Sequence, residues 1–150
     1  MARVYLKGLP QLKAKLVALK QDTMPAVRPA MEQAAQQITD TMKRLAPVDG
    51  GALRDSIGWT WGDAPRGSVK VSHSIAGNRI TIFAGDEKAF YARFVEFGTA
   101  PHVNGGRFAG TDNPGNRQQP FFYPAYRANR NQVKLMIRRA IRDAVREAAR

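Results

Sequence analysis

Arg138, Arg142, Arg146 and Arg150 recur every four residues near the C-terminus. On a helix that spacing stacks four guanidinium groups along one side. A fixed row of guanidiniums recognises phosphate or carboxylate oxygens, because each fork donates in a geometry that matches a planar oxyanion. Asp143 and Glu147 are too few to neutralise the row. A charged row is usually a solvated face, and the missing acids favour a face turned to DNA or to an acidic protein surface. Catalytic chemistry has much less to build on. The chain has no cysteine, which removes disulfides, thiolate metal sites and thiol nucleophiles. The two histidines are His73 and His102, and the carboxylates Asp49, Asp55, Asp86, Glu87 and Glu96 are scattered with no histidine at a matching spacing. His73 lies in phase with Val71 and Ile75, so it reads as a packed strand residue. The expectation is a protein that is not an enzyme and that holds no metal or cofactor.

Charge is the strongest compositional signal. The chain carries 24 Lys and Arg against 12 Asp and Glu, a formal net charge of +12. Residues 1–46 hold 8 basic against 3 acidic residues (+5), residues 47–126 hold 8 against 7 (+1), and residues 127–150 hold 8 against 2 (+6). The excess therefore sits in the two terminal segments, and the middle is nearly neutral. Basic helices attract phosphate, anionic membranes or acidic proteins. With 43% hydrophobic and 24% charged residues in 150, the chain reads as one globular domain rather than a disordered one. The start Met-Ala-Arg-Val-Tyr-Leu-Lys lacks the apolar stretch of a signal peptide, and no stretch approaches a membrane-spanning length, so the expectation is a soluble protein made in the cytoplasm.

These residues must be positioned by a few elements. Leu9, Leu12, Leu16 and Leu19 predict an amphipathic helix over 9–20, with Lys7, Lys13, Lys15 and Lys20 at its margins. Asp22-Thr23-Met24-Pro25 predicts a break, with Thr23 as cap. Val27, Met31, Ala34, Ile38, Met42 and Leu45 then predict a second helix over 26–45, closed by Pro47. One kinked helix is the alternative. Asp49 can cap a short helix carrying Leu53 and Ile57, with a hairpin turn at Asp49-Gly50 as the competing reading. The glycine pair lacks the lysine and spacing of a P-loop. Alternation at Ile57, Trp59 and Trp61, at Val69, Val71, His73 and Ile75, and at Ile80, Ile82 and Ala84 predicts three antiparallel strands in a meander. Residues 76–78 would form the tight turn between the second and third. The C-terminal stripe Val133, Ile137, Ala140, Ile141, Ala144 and Ala148 predicts a last helix that carries the arginine row.

Between sheet and last helix lies the run from Tyr91 to His102, Tyr-Ala-Arg-Phe-Val-Glu-Phe-Gly-Thr-Ala-Pro-His. Read as a short helix, it places Phe90, Phe94 and Phe97 on one side, where they would lock a small core, and leaves Arg93 and Glu96 free to pair on another. Gly98 and Pro101 supply stop signals. Residues 99–119 are a polar, glycine-rich connection of unusual length, either functional or a floppy excursion, with Phe108 as the residue that would dock. A second aromatic run, Pro-Phe-Phe-Tyr-Pro-Ala-Tyr, ends at Tyr126.

Three runs together resemble the gene-ten-like tail-component family of lambdoid, long-tailed phages. The first holds Ala46, Pro47, Gly51, Leu53, Arg54, Ser56 and Ile57; the second holds Tyr91, Ala92, Val95, Glu96, Phe97, Gly98 and Thr99; the third holds Pro120, Phe121, Phe122, Pro124 and Ala125. Asp49-Gly50-Gly51 departs from the threonine and single glycine more usual in that family, and the 99–119 loop is longer than usual. The expected fold is α+β, a small antiparallel sheet of three to four strands packed against N-terminal and C-terminal helices in a single domain over 1–150. The resemblance implies a virion structural protein at the neck or head-proximal end of the tail, made in the host bacterial cytoplasm. It would act in a sixfold or twelvefold homo-oligomeric ring around the DNA channel, touching connector or stopper proteins, tail terminator or tube proteins, and DNA, with no membrane. Glu96, Phe97, Gly98, Thr99, His102 and Phe108 are expected at a subunit interface. Arg138, Arg142, Arg146 and Arg150 are expected to face DNA or an acidic partner. The rival reading is a basic nucleic-acid-binding protein acting outside a virion assembly, although no recognised nucleic-acid motif is present.

Overall fold

The structure, a computed structural model, describes residues 9–75 and 77–148. Val27, Met31, Ala34, Ile38 and Met42 stand at helical spacing, and each is at most 3% exposed. They line the inner face of one continuous helix, α1 (Leu9–Leu45), while Leu45, expected in the same stripe, is 50% exposed. The expected break at 22–25 is not there. Pro25 and Pro29 lie inside α1, four residues apart on its exposed side. Each removes one N–H bond, and the carbonyl released is on the same outward side one turn earlier, while the buried stripe runs on undisturbed. α1 ends two residues before Pro47, as expected. The side chains of Leu9, Leu12, Leu16 and Leu19, with Lys7 and Lys20, lie outside what is described, as do Ala76 of the expected turn and Arg150.

A short helix, α2 (Ala52–Asp55), follows instead of a hairpin. Its N-cap is Gly51 at φ 81° with no side-chain cap, so Asp49 does not play the role expected of it. Ser56 fixes α2 in place: its hydroxyl donates to the Leu53 carbonyl at 2.6 Å and accepts from the Gly85 N–H at 3.0 Å.

The three expected strands form, as β1 (Gly58–Trp61), β2 (Val69–Ile75) and β3 (Asn78–Ala84), all antiparallel to their neighbours. Their order is β1-β3-β2, which corrects the meander. β3 takes the centre because Ile80, Thr81, Ile82 and Ala84 are all buried, whereas Lys70, Ser72, His73 and Ser74 give β2 the polar surface of an edge. Register puts Trp59, Ile82 and Val71 in one row and Trp61, Ile80 and His73 in the next, both facing the helices. The reverse face carries Thr60, Thr81 and Ser72, with Ser72 and Thr81 hydroxyls 2.8 Å apart.

α1 holds the sheet through its side chains at 28, 32 and 36, one helical turn apart. The Trp59 indole donates to Gln36 at 3.0 Å, the Trp61 indole donates to Glu32 at 2.9 Å, and the Arg28 guanidinium lies 4.5 Å from the Trp61 ring centre. α4 (Phe122–Ala148) packs along α1. Its buried Val133 and Ala144 join the core, and the Gln37 amide donates to Asn129 at 3.0 Å and to Gln132 at 2.9 Å across the pair. The result is the expected α+β architecture, two long helices on one face of a three-stranded sheet.

Candidate functional site

The run around Glu96 folds as the short helix α3 (Ala92–Phe97). Six residues can bury only one side, and the buried side is Ala92 and Glu96, not the phenylalanines. Phe90, Phe94 and Phe97 are 62%, 46% and 56% exposed, so the aromatic core lock expected of them is wrong. The core is filled by Phe121 and Phe122, both fully buried.

Glu96 explains the reversal. Its Oε2 accepts from the backbone N–H of Phe121 and of Phe122, both at 2.8 Å, and its Oε1 accepts from the Tyr123 N–H at 3.0 Å. These are donors at the start of α4, which an α-helix leaves without partners, at the positive end of its dipole. The expected Arg93 pairing is therefore replaced by a helix cap delivered from another element. With Glu96 held inward, Phe94 and Phe97 on the other side of α3 must face out, and Phe90, just before the helix, is exposed with them. Phe97 keeps an aromatic contact with Tyr123, with ring centres 5.9 Å apart.

The chain leaves this corner at Gly98, φ 70° and ψ 176°, where any Cβ would come 2.7 Å from the Asn116 carbonyl oxygen and 2.9 Å from the Gln118 nitrogen. Residues 99–119 are not the floppy excursion that was one of the two readings. They fold into a two-stranded ribbon closed at its base by paired Thr99–Asn116 backbone hydrogen bonds of 2.9 and 3.0 Å. β4 (His102–Val103) pairs with β5 (Asp112–Asn113), and a 3₁₀ turn (Gly106–Phe108) lies between them. Asn104 braces the turn, donating to Thr111 at 2.9 Å and accepting from Asn113 at 3.2 Å. From residue 100 to 120 all but Asn104, Asn113 and Gly115 are exposed. Phe108 is 66% exposed and Val103 63%.

The expected interface residues thus share one region. Glu96 lies beneath it, Phe97, Gly98 and Thr99 make the corner, His102 sits on β4 with its Nδ1 2.9 Å from the Ala100 carbonyl, and Phe108 is carried in the distal turn. Of the arginine row, Arg138, Arg142 and Arg146 are exposed on α4. Arg79 pairs with Asp63 at 2.6 Å, away from that row.

His73 does not stand alone. Its Nε2 is 2.8 Å from the Tyr126 hydroxyl and the rings stack with centres 5.8 Å apart. Burial, and secondarily the Arg130 guanidinium, lower its pKa below the ordinary 6.5. Among the described residues no cluster of three potential metal ligands forms, and no helix is long and apolar enough to cross a membrane. Sequence reasoning missed Glu96 as a cap and Phe121 as core. The signal for the first was faint, since the carboxylate and the helix start it caps lie 25 residues apart.

The architecture defines a small α+β protein of two long helices on a three-stranded sheet, with an aromatic corner and a ribbon left uncovered. A family model described as "Bacteriophage HK97-gp10, putative tail-component" matches residues 11–98, more than half of the chain, and the protein belongs to this family of phage structural proteins. The match takes in most of α1, the sheet and α3, and with them the first two of the three resembling runs up to Gly98; the ribbon and α4 follow it. No curated protein and no solved structure matches the chain.

Proposed function

We propose that the chain is a ring-forming subunit at the head–tail junction of a tailed phage or phage-like particle, as a neck or tail-completion component around the DNA channel. The observation that carries this reading is the corner from Phe97 to Thr99 with its ribbon. Phe90, Phe94, Phe97, Val103 and Phe108 are all exposed, yet they stand on backbone fixed by the Glu96 cap and the Thr99–Asn116 bridge. Exposed aromatic side chains on an ordered scaffold are the composition of a protein contact. A ring closed by head-to-tail contacts needs two different surfaces on each subunit. The corner and ribbon are one, placing Phe97, His102 and Phe108 against a neighbouring copy, with Glu96 as the buried anchor. The exposed Arg138, Arg142 and Arg146 of α4, continued in sequence by Arg150, meet an acidic neighbouring ring. Protein rather than DNA is favoured because a cationic channel wall would hold phosphates and retard sliding DNA.

Light scattering of the purified chain at low and high salt, with and without duplex DNA, tests this. A discrete ring mass without DNA, lost on Phe97→Ser with Phe108→Ser, is the expected result. A monomer that binds duplex tightly and releases it steeply with salt would overturn it. The arginine row would then mark the rival nucleic-acid-binding protein.

A further inference from the structure

Between α4, β2 and the inner face of α1 lies a cleft of about 400 Å³. Its floor is apolar, formed by Ile38 of α1, Ile82 of β3, and Val133 and Ile137 of α4. Its rim is cationic. Arg130, Lys134 and Arg138 follow one another at single-turn spacing along α4, and no carboxylate lines the cleft. Across from them runs β2, whose His73, Ser74 and Ile75 also line the opening. β2 pairs with β3 alone, so one backbone edge of this strand is unpaired among the described residues. An apolar floor, a rim of one charge sign and an open strand edge together specify what fits: an extended chain that pairs or runs beside β2, inserts aliphatic side chains and brings carboxylates to the rim.

This chain does not supply such a segment. Its exposed aliphatic side chains Val17, Leu45, Leu135 and Val145 lie on helices, Val48 lies in the short connection between α1 and α2, and Val103 lies on β4, already paired with β5, so none stands on a free extended segment. Residues 1–8 contain Arg3 and Lys7 and no carboxylate. We infer that the cleft between β2 and α4 receives an extended segment of a different protein, in which aliphatic side chains are flanked by aspartate or glutamate. The inference rests on the acidic-partner reading of α4 and adds where that partner enters and in what form.

The test is selection of a random peptide library on the immobilised full-length chain, followed by binding of the synthetic winners measured by fluorescence anisotropy. Winners should combine aliphatic residues with Asp or Glu. Lys134→Glu, on the rim, should weaken them about tenfold or more, whereas Arg66→Glu, an exposed charge reversal in the connection between β1 and β2, should change binding by about twofold or less. Lys134 is exposed, so its variant should keep the parent melting temperature; Ile137→Ser should weaken binding as well. Winners that are acidic without aliphatic residues and that are lost on Arg142→Glu would overturn the cleft while leaving the acidic-partner reading standing. Basic or uncharged winners, winners matching residues 86–98 of this chain, or no enrichment would also overturn it. Displacement of winners by duplex DNA through Arg142 and Arg146 would remove the acidic-partner reading itself.

Discussion

The Glu96 carboxylate lies 2.8 Å from the backbone nitrogen of Phe122, the first residue of α4. This one contact sets two features of the molecule. It satisfies the start of the C-terminal helix, and it turns α3 so that its phenylalanines face solvent. Glu96→Ala leaves buried N–H donors without acceptors at a helix start, and a loss of about 2–3 kcal/mol is expected. Glu96→Gln keeps an acceptor oxygen and should lose less. Chemical denaturation of the three proteins measures both steps; equal stabilities for wild type and Glu96→Ala would refute the capping role.

Gly98 joins α3 to the ribbon where a side chain has no room. Gly98→Ala combines a positive φ with a clash against backbone at Asn116 and Gln118, and should cost about 1–3 kcal/mol. Gly105, at φ −104° with nothing within 4 Å of a built Cβ, should accept alanine with no loss. Amide exchange at Thr99 and Asn116 distinguishes loosening at the ribbon base from a general loss. Faster exchange at those two positions in Gly98→Ala is the expected pattern.

His73 supplies a pH dependence of known sign. Its folded pKa is lowered, first by burial and then by Arg130, so the unfolded chain binds the proton more readily. The stability this ring contributes is full above 6.5, its ordinary value, and is lost as pH falls through the lowered one. The melting temperature should begin to drop below pH 6.5, ahead of the carboxylate range, and His73→Asn should remove that early portion. An imidazole titration midpoint above 6.5 in the folded protein would contradict the assignment.

Surface aromatics should separate stability from assembly. Phe94→Ser and Phe108→Ser remove exposed side chains, so unfolding free energies should stay within about 0.5 kcal/mol of the parent. Under the ring reading the same pair lowers the molar mass seen by light scattering. A large stability loss would instead return these residues to the core.

The two tryptophans anchor the sheet to α1 through polar handles. Trp61→Phe keeps most of the buried ring but removes the donor to Glu32 and weakens the Arg28 stacking, for an expected loss of about 1 kcal/mol. Glu32→Gln, which retains an acceptor, should lose less.

Periodicity determined much of this protein. The stripe from Val27 to Met42, the alternation in three strands, the placement of Arg138, Arg142 and Arg146 on the last helix and the short helix before Gly98 are local patterns. Their spacing alone decides which residues share a face, and the structure agrees with each. What remained open needed the third dimension. The stretch from Asp22 to Pro25 read as a break because a local rule cannot know that Pro25 and Pro29 both fall on the outer side of a helix whose inner stripe is continuously buried. The strand order was hidden because a tight turn joins β2 to β3 under either order, and only burial on both faces assigns the centre to β3. Which side of α3 points inward was undecidable from sequence, since three phenylalanines outweigh one glutamate in any hydrophobic pattern. A helix start with unsatisfied N–H groups, brought up by the fold 25 residues downstream, made the carboxylate the better thing to bury.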